Sequence, residues 1–408
     1  MSRKEFVAGL DIGTTKTCCV LAETDIDTGS VDIIGVGLTP SAGLRRGVVV
    51  DLEATTTGIR NAVDKAQRMA GSIAVRSVVV GITGEHVSSL NSRGVIAITS
   101  SDREISHSDV ERVVEASRVI VLPPEREIIH AIPRGYVVDG QDGVKDPVGM
   151  SGSRLEVETH IVTGSTAFLD NVVKCVRRAG LEIDTTVLEP IATGESAVLP
   201  AEKDLGVVLI DIGGGTTDVA VFVGGEIYYT AVLAVGGNHV TRDMAIGLRA
   251  SQEEAESVKL KYGFATSDMV DVDDTFRVTS LGEEQPRELP REMLVEIIEP
   301  RMQEILQMVR EEVIKSGYID MLPAGAVLTG GGALMPGTVA LTEKILGMPT
   351  RMGQPQGVGG LNDTVQSPVC ATAVGLVIYA ARVRADLREE EKKGGIIQGV
   401  IDLLRRPR

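Results

Sequence analysis

The chain carries two similar loops, about half its length apart, in which a turn that begins Asp-Ile-Gly joins two apolar runs. The first loop is Asp11-Ile-Gly-Thr-Thr-Lys16, between residues 7–10 and 17–22. The second is Asp211-Ile-Gly-Gly-Gly-Thr-Thr-Asp218, between residues 206–210 and 219–223. Short apolar runs on both sides of a turn predict a β-hairpin. A repeated unit of this kind predicts two similar α/β domains, each giving one hairpin to a shared cleft.

The second loop has the composition of a phosphate-binding turn. Its three consecutive glycines allow backbone N–H groups to approach a bulky anion without interference from Cβ atoms. Thr216 and Thr217 add hydroxyl groups. A carboxylate such as Asp211 would repel a neighbouring phosphate unless a divalent cation lay between them. The loop therefore predicts magnesium held through water near Asp211, with Asp11 as its counterpart in the first loop.

Two other phosphate-binding motifs do not fit this loop. A Walker loop needs Gly-x4-Gly-Lys-Ser/Thr before a helix, and a Rossmann fingerprint also opens a helix. Strand-forming residues, 219–223, follow this loop instead. For the three glycines taken alone, a hairpin without a ligand is an equal alternative.

A third glycine-rich turn follows later in the chain. The run 326–329 predicts a strand, and Gly330-Gly-Gly-Ala-Leu-Met-Pro336 predicts a turn into a helix over 337–346. Such a turn suits close contact with a flat base or a sugar, with Met335 as an apolar neighbour. Taken alone, a turn without a ligand is the more frequent case. The order of the three turns favours one shared ligand.

The three turns in this order resemble the actin-like ATPase superfamily, and further motifs resemble its FtsA family of bacterial cell-division proteins. These motifs are Gly9-Leu-Asp-Ile-Gly-Thr14, Ile33-Ile-Gly-Val-Gly37, Arg46-Gly-Val-Val-Val-Asp51, Lys145-Asp-Pro-Val-Gly-Met-Ser-Gly152, Ile298-Glu-Pro-Arg301 and Val327-Leu-Thr-Gly-Gly-Gly332. The resemblance extends over essentially the whole chain. It implies an α/β, actin-like two-domain fold with a central nucleotide cleft, an FtsA-type inserted subdomain and a C-terminal amphipathic helix.

The resemblance also implies which residues bind ATP with magnesium. They are Asp11, Gly13, Thr14, Thr15, Lys16, Asp211, Gly213, Gly214, Gly215, Thr216, Thr217, Asp218, Gly236, Gly237, Asn238, Glu256, Lys259, Gly330, Gly331, Gly332, Ala333 and Met335. Glu256 and Lys259 are implied to reach the ribose and base. On a helix their spacing also suits a solvated ion pair, which is the favoured interpretation for an isolated helix.

Glu189 is the candidate catalytic residue. In related actin-like proteins a Glu-Pro pair at this connection orients the hydrolytic water, so the resemblance implies a water positioner. An equal alternative is that Glu189 caps the following helix, because a negative charge is stabilised at a helix N-terminus. The resemblance implies at most a weak magnesium-dependent ATPase.

The resemblance and the changes in character along the chain give a domain order. The first actin-like domain takes residues 1–84, 160–204 and 362–388, interrupted by the inserted subdomain at 85–159. The second domain takes 205–238 and 301–361 around a smaller subdomain at 239–300. A linker at 389–395 precedes the tail at 396–408.

Two of these regions are expected to contact partners. The inserted subdomain is implied to support head-to-tail self-assembly and contacts with later division proteins, although the stretch alone indicates only an insertion with a passive role. The second domain is implied to receive the C-terminal peptide of FtsZ, the tubulin homologue of the division machinery, near Arg301. A structural surface arginine is an equally good interpretation of Arg301.

Composition excludes several classes of protein. A formal net charge of −16 argues against nucleic-acid binding, which needs a basic surface. Cys18, Cys19, Cys175 and Cys370 lack metal-type spacing and are expected to be reduced core thiols. The start of the chain has no apolar signal segment, and no run is expected to approach the length of a membrane span.

The C-terminal tail predicts an amphipathic helix that lies on a membrane. At about 100° per residue its apolar residues fall within an arc of roughly 160°, and basic residues follow them. The alternative is a helix that docks on its own protein or on a partner. FtsA proteins carry a membrane-targeting helix here, which favours the membrane. The residues concerned are Ile396, Ile397, Val400, Ile401, Leu403, Leu404, Arg405 and Arg406.

These expectations describe an ATP-binding, self-assembling cell-division protein. It would tether FtsZ filaments to the cytoplasmic face of the inner membrane at the division site and help to recruit later division proteins. Two alternatives stay open: a small-molecule kinase of the same superfamily, and a non-hydrolysing actin-like scaffold of another membrane machine.

Overall fold

Two open β-sheets, each built around one of the repeated hairpins, form the two halves of the molecule. The computed structural model describes residues 4–25, 29–269, 273–283 and 285–392. Its mixed α/β content confirms the predicted fold class. The amphipathic tail predicted at 396–408 lies outside the described residues, as do residues 393–395 of its predicted linker.

The first half begins with three antiparallel strands, followed by a short ribbon, a long helix and a further strand. In chain order these are β1 (Lys4–Ile12), β2 (Lys16–Asp25), β3 (Val31–Pro40), β4 (Leu44–Arg45), β5 (Val48–Val49), α1 (Leu52–Met69) and β6 (Ser77–Ile82). Helix α1 begins after Asp51, because the Asp51 carboxylate accepts hydrogen bonds from two backbone N–H groups of the first turn, each at 3.0 Å.

An inserted unit with a sheet of its own follows. It consists of β7 (Ser88–Ala97), α2 (His107–Ser117), β8 (Arg126–Val138), β9 (Gln141–Val144) and β10 (Arg154–Ser165). The strands form an antiparallel sheet in the order β7-β10-β8-β9, and a small core that includes Ile105, Val113 and Leu155 lies between this sheet and α2. Strand β10 continues beyond residue 159, the predicted end of the insertion, and leads directly back into the first half.

The remaining elements complete the first half, build the second and return to the first. They are α3 (Thr166–Arg178), β11 (Glu182–Leu188), α4 (Glu189–Ala197), α5 (Pro200–Leu205), β12 (Val207–Ile212), β13 (Thr217–Val223), β14 (Glu226–Leu233), α6 (Gly237–Leu248), α7 (Gln252–Tyr262), β15 (Thr275–Val278), β16 (Arg287–Pro290), α8 (Glu292–Ser316), β17 (Ala326–Thr329), α9 (Thr338–Leu346), β18 (Thr350–Met352), β19 (Gly359–Gly360), α10 (Asn362–Val365) and α11 (Ala371–Lys392). Short 3₁₀ turns include Gly331–Leu334, before α9, and Pro368–Cys370, before α11.

The two large sheets repeat one topology. The first has the order β11-β6-β1-β2-β3-β19 and the second the order β14-β13-β12-β17-β18. In each, an antiparallel meander of three strands is extended beside its first strand by two parallel strands, β6 and then β11 in the first sheet and β17 and then β18 in the second. This repetition confirms the two similar α/β halves expected from the two loops.

Helices α4 and α11 form the centre of the molecule between the two sheets. A Cβ atom at Gly375 of α11 would lie 1.8 Å from the carbonyl oxygen of Ala192 in α4, so the two helices touch through their backbones. On the other side of α4, a Cβ atom at Gly194 would lie 2.5 Å from the Phe222 ring in β13. One continuous core therefore joins the first half to one face of the second sheet.

The inserted sheet also contacts the second half. The Arg134 guanidinium of β8 donates to the carbonyl oxygen of Tyr228 at 2.9 Å and lies 4.5 Å from the centre of its ring. Ser89 donates to the carbonyl oxygen of Thr230 at 2.7 Å, and the His160 ring lies 3.0 Å from the Thr230 hydroxyl. These contacts hold the insertion against β14, the edge strand of the second sheet.

One sequence expectation about membrane spans is wrong. Among the described residues, the segment Pro368–Arg388 is long and apolar enough to cross a membrane by length and composition. However, 67% of its most apolar window is buried inside the protein. Its apolar character is explained by the central position of α11, which packs against α4 and the first sheet.

Helix α8 continues through Pro300, although proline is unfavourable in the interior of a helix. Proline removes one backbone hydrogen bond from a helix. The apolar stripe continues on both sides of Pro300, and Leu294, Ile298, Met302 and Ile305 are all buried. Tertiary packing therefore maintains the helix. The predicted boundary between residues 239–300 and 301–361 falls within it, and the predicted domain boundaries stay a prediction.

Replacing Gly375 by alanine should destabilise the molecule, because the added methyl group would overlap the Ala192 carbonyl group. Overpacking of this kind costs about 1–3 kcal/mol, so we expect the midpoint of thermal unfolding to fall by roughly 5 °C. Gly135→Ala is the matched control, since a Cβ atom there meets nothing within 4 Å. Equal midpoints for the two variants in differential scanning calorimetry would contradict the close helix contact.

Candidate functional site

The first repeated turn joins β1 to β2 and is closed by a single backbone hydrogen bond. The N–H of Gly13 donates to the carbonyl oxygen of Lys16 at 2.9 Å. The Lys16 ammonium group folds back and donates to Asp11 Oδ2 at 2.6 Å. The Asp11 carboxylate, with 2% of the residue exposed, is therefore paired at the base of the turn.

The second turn, between β12 and β13, is closed in the same way. The N–H of Gly213 donates to the carbonyl oxygen of Thr216, again at 2.9 Å. Asp211 stands where Asp11 stands in the first turn, at the end of the first strand of the hairpin. Its carboxylate accepts from the hydroxyl groups of Thr372 at 3.3 Å and Thr193 at 3.5 Å. The repeated sequence thus forms the same local structure twice.

The two turns meet face to face. A Cβ atom at Gly214 would lie 2.4 Å from Thr15 Cγ2, and one at Gly215 would lie 2.5 Å from Thr14 Oγ1. Side chains at these two positions would collide with the first turn. The second turn therefore needs glycine for its approach to the other half of the molecule.

Four carboxyl groups surround the cavity beneath the turns. Asp11, Asp211 and Asp218 come from the hairpins, and Glu189 comes from the start of α4. The cavity has a volume of about 40 Å³, enough for a few water molecules. The hydroxyl group of Thr83, at the end of β6, donates to Asp218 at 2.5 Å. Strand ends from both halves therefore place acidic groups around one point.

Burial and mutual repulsion change the charge state of these acids. Burial, followed by repulsion from Asp211, raises the pKa of Asp218 to about 8. Burial also raises the pKa of Asp211 to about 6, although Lys16 opposes the shift. The pKa of Glu189 is raised by burial and then by Asp11 and Asp218. Near neutral pH the site therefore retains protons that isolated carboxylates would lose.

Lys16 is the cation that balances this cluster. Burial alone would lower the pKa of Lys16, but the adjacent Asp11 carboxylate outweighs that effect and the pKa is raised. The charged form of Lys16 is thus favoured. Within the described residues, no group of three or more His, Cys, Asp or Glu side chains is arranged to hold a metal ion directly. Magnesium held through water at Asp11 and Asp211 stays a prediction.

The third glycine turn closes the cavity from the second half. Gly330 has a φ of +84°, and a Cβ atom there would lie 2.2 Å from Asp211 Oδ1, so only glycine fits. Gly330 and Gly331 line the cavity. The helix predicted over 337–346 is confirmed as α9, which begins at Thr338, and the turn before it contains the 3₁₀ segment Gly331–Leu334.

Several predicted residues lie behind the cavity rather than in its wall. The Thr217 hydroxyl donates to the carbonyl oxygen of Val235 at 2.8 Å, on the far side of the hairpin. A Cβ atom at Gly332 would lie 2.4 Å from Ile212 Cγ2. Ala333 and Met335 pack in or against the core of the second half. In this arrangement these residues support the turns.

Gly236, Gly237 and Asn238 support the second turn from behind. The N–H groups of Gly237 and Asn238 donate to the carbonyl oxygens of Gly213 and Gly214, at 2.9 and 2.8 Å. A Cβ atom at Gly236 would lie 2.5 Å from the same Gly213 oxygen. The start of α6 is thereby attached to the turn.

Glu256 and Lys259 form the ion pair expected from their spacing, with 2.6 Å between Lys259 Nζ and Glu256 Oε2. The Lys259 ammonium group also donates to Thr241 Oγ1 at 2.8 Å and to the carbonyl oxygen of Gly237 at 3.2 Å. It is largely buried, with 9% of the side chain exposed. The pair therefore connects α7 to the start of α6 and is not a solvated surface pair.

Apart from Glu189, sequence reasoning missed the residues around the cavity that come from outside the three glycine turns. Thr83, Pro368, Val369 and Thr372 line the cavity, and Thr193 contacts Asp211 from α4. Three of the five are threonines: Thr83 and Thr372 lie next to an element end, and Thr193 lies in the middle of α4. No sequence signal separates these from other threonines, because their role depends on the packing of α4 and α11.

Two further expectations concern groups outside the cavity. The Arg301 guanidinium donates to Asp243 Oδ2 at 2.6 Å and also pairs with Glu304, so internal acids already hold it. The four cysteines are buried and form no disulfide, which agrees with the expectation of core thiols.

Two family models match the chain. The model described as "Cell division protein FtsA" matches residues 208–375, and the model described as "SHS2 domain inserted in FTSA" matches residues 84–163. The second match covers the inserted unit from before β7 to near the end of β10.

Curated relatives match over nearly the whole chain. The cell-division protein FtsA of Pseudomonas aeruginosa is 44% identical over 382 residues, which cover 94% of this chain and 91% of the relative. The Bacillus subtilis FtsA protein is 43% identical over 382 residues, with 94% of this chain and 85% of the relative covered.

Solved structures share the fold at low sequence identity. A chain of the PilM–PilN type IV pilus biogenesis complex superposes with a TM-score of 0.68 at 20% identity, covering 92% of this chain and 98% of that chain. MreB5 of Spiroplasma citri bound to ADP superposes with a TM-score of 0.57 at 16% identity, covering 94% and 98%. These neighbours establish the actin-like fold and no more.

The nucleotide-free, magnesium-free protein should lose stability as pH rises towards 8. An acid whose pKa is raised in the folded state contributes stability that is complete below its unfolded pKa of about 4 and is lost as pH rises through the folded pKa. For Asp218, with a pKa of about 8, the loss between pH 6.5 and 8 is on the order of 1–2 kcal/mol. Thermal unfolding at both pH values measures it.

The Asp218→Asn variant tests the assignment, because asparagine resembles the protonated acid and does not titrate. Its unfolding midpoint should fall less between pH 6.5 and 8 than that of the unchanged protein. Asp320→Asn, at an exposed position, is the matched control and should keep the full dependence. An equal fall in the Asp218 and Asp320 variants would show that the cleft acids do not hold these protons.

Proposed function

Because the chain belongs to the FtsA family of bacterial cell-division proteins, we propose that it binds ATP with magnesium, self-assembles, and tethers FtsZ filaments to the inner membrane. The contact of two glycine-containing turns above a cluster of buried acids carries the nucleotide part of this proposal. The tether and the assembly rest on family membership and on the sequence of the tail.

The chemistry of the cleft suits a magnesium nucleotide. The turns present backbone N–H groups and the hydroxyls of Thr14, Thr15 and Thr216, which suit phosphate oxygens. Asp11 and Asp211 would hold magnesium through its water ligands, and the ion would supply positive charge between carboxylate and phosphate. The raised pKa values of Asp211 and Asp218 fit a site that needs a cation before its acids ionise freely.

Nucleotide binding requires the two turns to separate. Thr14 and Thr15 contact Gly214 and Gly215 directly, and a cavity of about 40 Å³ is far smaller than the 300 Å³ or more of typical ligand pockets. The phosphates would therefore push the turns apart and then connect them through hydrogen bonds. The two halves would therefore be further apart with nucleotide bound than without it.

Glu189 is proposed to position water rather than to act as a strong base. Its carboxyl group lies next to Gly81, where an added Cβ atom would be 3.2 Å from Oε1, and its pKa is raised. A carboxyl group that retains its proton can donate a hydrogen bond to water but cannot accept a further proton. This agrees with at most weak ATP hydrolysis. Glu256 and Lys259 are proposed to reach the ribose and base from behind the second turn.

Replacing Asp211 by asparagine should weaken magnesium-dependent ATP binding by about tenfold or more, because a carboxylate that orients the waters of the ion is lost. Fluorescence anisotropy of a labelled ATP analogue, with and without magnesium, measures this. Asp64→Asn removes an exposed acid on α1 and is the matched control. If ATP binding by the Asp211 variant kept its dependence on magnesium, the assignment of magnesium to a position near Asp211 would be wrong.

The membrane part of the proposal involves the C-terminal tail, and the FtsZ part involves the second half of the molecule. The apolar face of residues 396–404, followed by Arg405 and Arg406, suits an anionic membrane surface. The C-terminal peptide of FtsZ is proposed to bind the second half near Arg301. An acidic peptide group would have to compete there with Asp243 and Glu304.

Replacing Ile401 by aspartate should abolish membrane tethering, because a charge on the apolar face opposes burial worth roughly 1.5–3 kcal/mol per large side chain. We expect the unchanged protein to carry FtsZ filaments into the pellet with phosphatidylglycerol vesicles, and the Ile401 variant not to do so. Gln398→Asp adds the same charge on the polar face and should behave like the unchanged protein. Loss of tethering in both variants, or in neither, would contradict an oriented helix on the membrane.

A further inference from the structure

A second, larger cavity opens on another part of the interface between the two halves. Its volume is about 600 Å³, within the range of ligand-binding pockets. Its walls come from α4, α5 and α11, from the β13–β14 hairpin of the second half, and from β8 of the insertion. None of the residues assigned above to nucleotide, magnesium or FtsZ binding lines it.

The inner wall of this second cavity is apolar. Ile132, Ile191, Phe222, Ile227 and Tyr379 contribute to it. They come from three separate regions of the molecule: the insertion, the central helices and the hairpin of the second half. An occupant with several branched aliphatic side chains would bury apolar surface against all three regions at once.

The rim of the second cavity is acidic. Glu195 lies 3.1 Å from Lys203 Nζ and 2.8 Å from an Arg382 nitrogen, so it pairs with both cations of the lining. Lys203 is largely buried and lies over the Phe222 ring, whereas Arg382 is half exposed. Asp204 and Glu226 are exposed and make no ion pair within the described chain. A suitable occupant would therefore carry basic groups beside its apolar face.

The C-terminal tail of this chain has that composition. Residues 396–404 contain six aliphatic side chains, and Arg405, Arg406 and Arg408 follow with Asp402 as the one acid. Its net charge of +2 is opposite to that of the rim, where four acids, with Asp386 the fourth, face two bases. Both the apolar and the charged features of the tail thus match the second cavity.

The covalent connection places the tail within reach of the cavity. Arg382 and Asp386 of α11 line the rim, and α11 is described to Lys392. The six residues from Asp386 to Lys392 advance about 9 Å along the helix. Residues 393–395, which include Gly394 and Gly395, span at most about 10 Å when extended, so the chain can return to the level of Asp386 by residue 396. A connection this short gives a high effective concentration.

We propose that, away from the membrane, the tail of residues 396–408 docks in its own chain's second cavity, with its aliphatic face inside and its arginines at Asp204 and Glu226. This inference rests on the proposed membrane role of the tail, because the same aliphatic face cannot be in the cavity and in a lipid surface together. The cavity is a storage site that competes with the membrane for the tail.

The location of the cavity connects this competition to the nucleotide cleft. The walls formed by α4 and α11 belong to the core of the first half, and the β13–β14 hairpin carries the second phosphate turn at its other end. A change in the spacing of the two turns therefore changes the width of the second cavity. Nucleotide binding would release the tail when the walls no longer fit its aliphatic face.

Photo-crosslinking in the full chain tests the proposal. A photoreactive amino acid replaces Leu404, the protein is irradiated without lipid or nucleotide, and mass spectrometry locates the crosslinks. We expect crosslinks within one chain to residues 222–227 or 379–386. Crosslinks mainly to other parts of the molecule, or between two chains in proportion to concentration, would overturn docking in this cavity.

A charge-reversal variant supplies the second measurement. Asp204→Lys with Glu226→Lys should reduce the crosslink yield to the cavity by about fivefold, as expected for two exposed ion pairs. Asp64→Lys with Asp320→Lys makes the same change at exposed positions away from the cavity and should leave the yield unchanged. Equal yields in the two double variants would overturn the assigned orientation.

Sedimentation with phosphatidylglycerol vesicles separates this inference from the membrane proposal. The rim variant should bind vesicles more strongly than its control in the absence of nucleotide, because its tail is less often in the cavity. If no variant binds vesicles but the cavity crosslinks persist, the membrane role fails while the docking stands. If vesicles bind and the cavity crosslinks are absent, the docking fails and the membrane role stands.

Discussion

The burial of four carboxyl groups where the two halves meet is the constraint on which the cleft depends. Asp11, Asp211, Asp218 and Glu189 surround a cavity whose described lining contains a single cation, Lys16. Such a cluster is costly unless protons or cations reduce its charge. The raised pKa values of Asp211, Asp218 and Glu189 mean that retained protons reduce the charge of the cleft. A magnesium nucleotide would supply a cation instead. The charge state of the cleft is thereby connected to its ligand and to the spacing of the two turns.

The same halves are held together away from the cleft by close packing around α4. Glycines at 194 and 375 let α4 lie directly against β13 and α11, and the insertion adds the Arg134–Tyr228 contact. Movement of one phosphate turn relative to the other must therefore be accommodated around these helices. The second cavity borders the same helices, which is why an occupant there would respond to the cleft.

Local pattern was sufficient to predict the parts of the site that are continuous in sequence. Apolar runs on either side of an Asp-Ile-Gly turn correctly predicted both hairpins. The third glycine turn lies against Asp211, and its predicted contact with a base or sugar stays a prediction. Thr83, Thr193 and Thr372 could not be found, because their positions depend on helices and strands that are distant in sequence. Packing also overrides local preference: α8 continues through Pro300 because both sides of it are buried. The expectation about membrane spans was wrong, because α11 is an apolar core helix.

If nucleotide binding separates the two turns that otherwise touch, the distance between the two halves must change, and measuring that distance is the most direct test. Val50 and Ile246 are exposed, one on each half, whereas the native cysteines are buried, so cysteines at these two positions accept spin labels selectively. Double electron–electron resonance with saturating ATP and magnesium should give a longer distance between the labels than without nucleotide. An unchanged distance with nucleotide demonstrably bound would contradict the account.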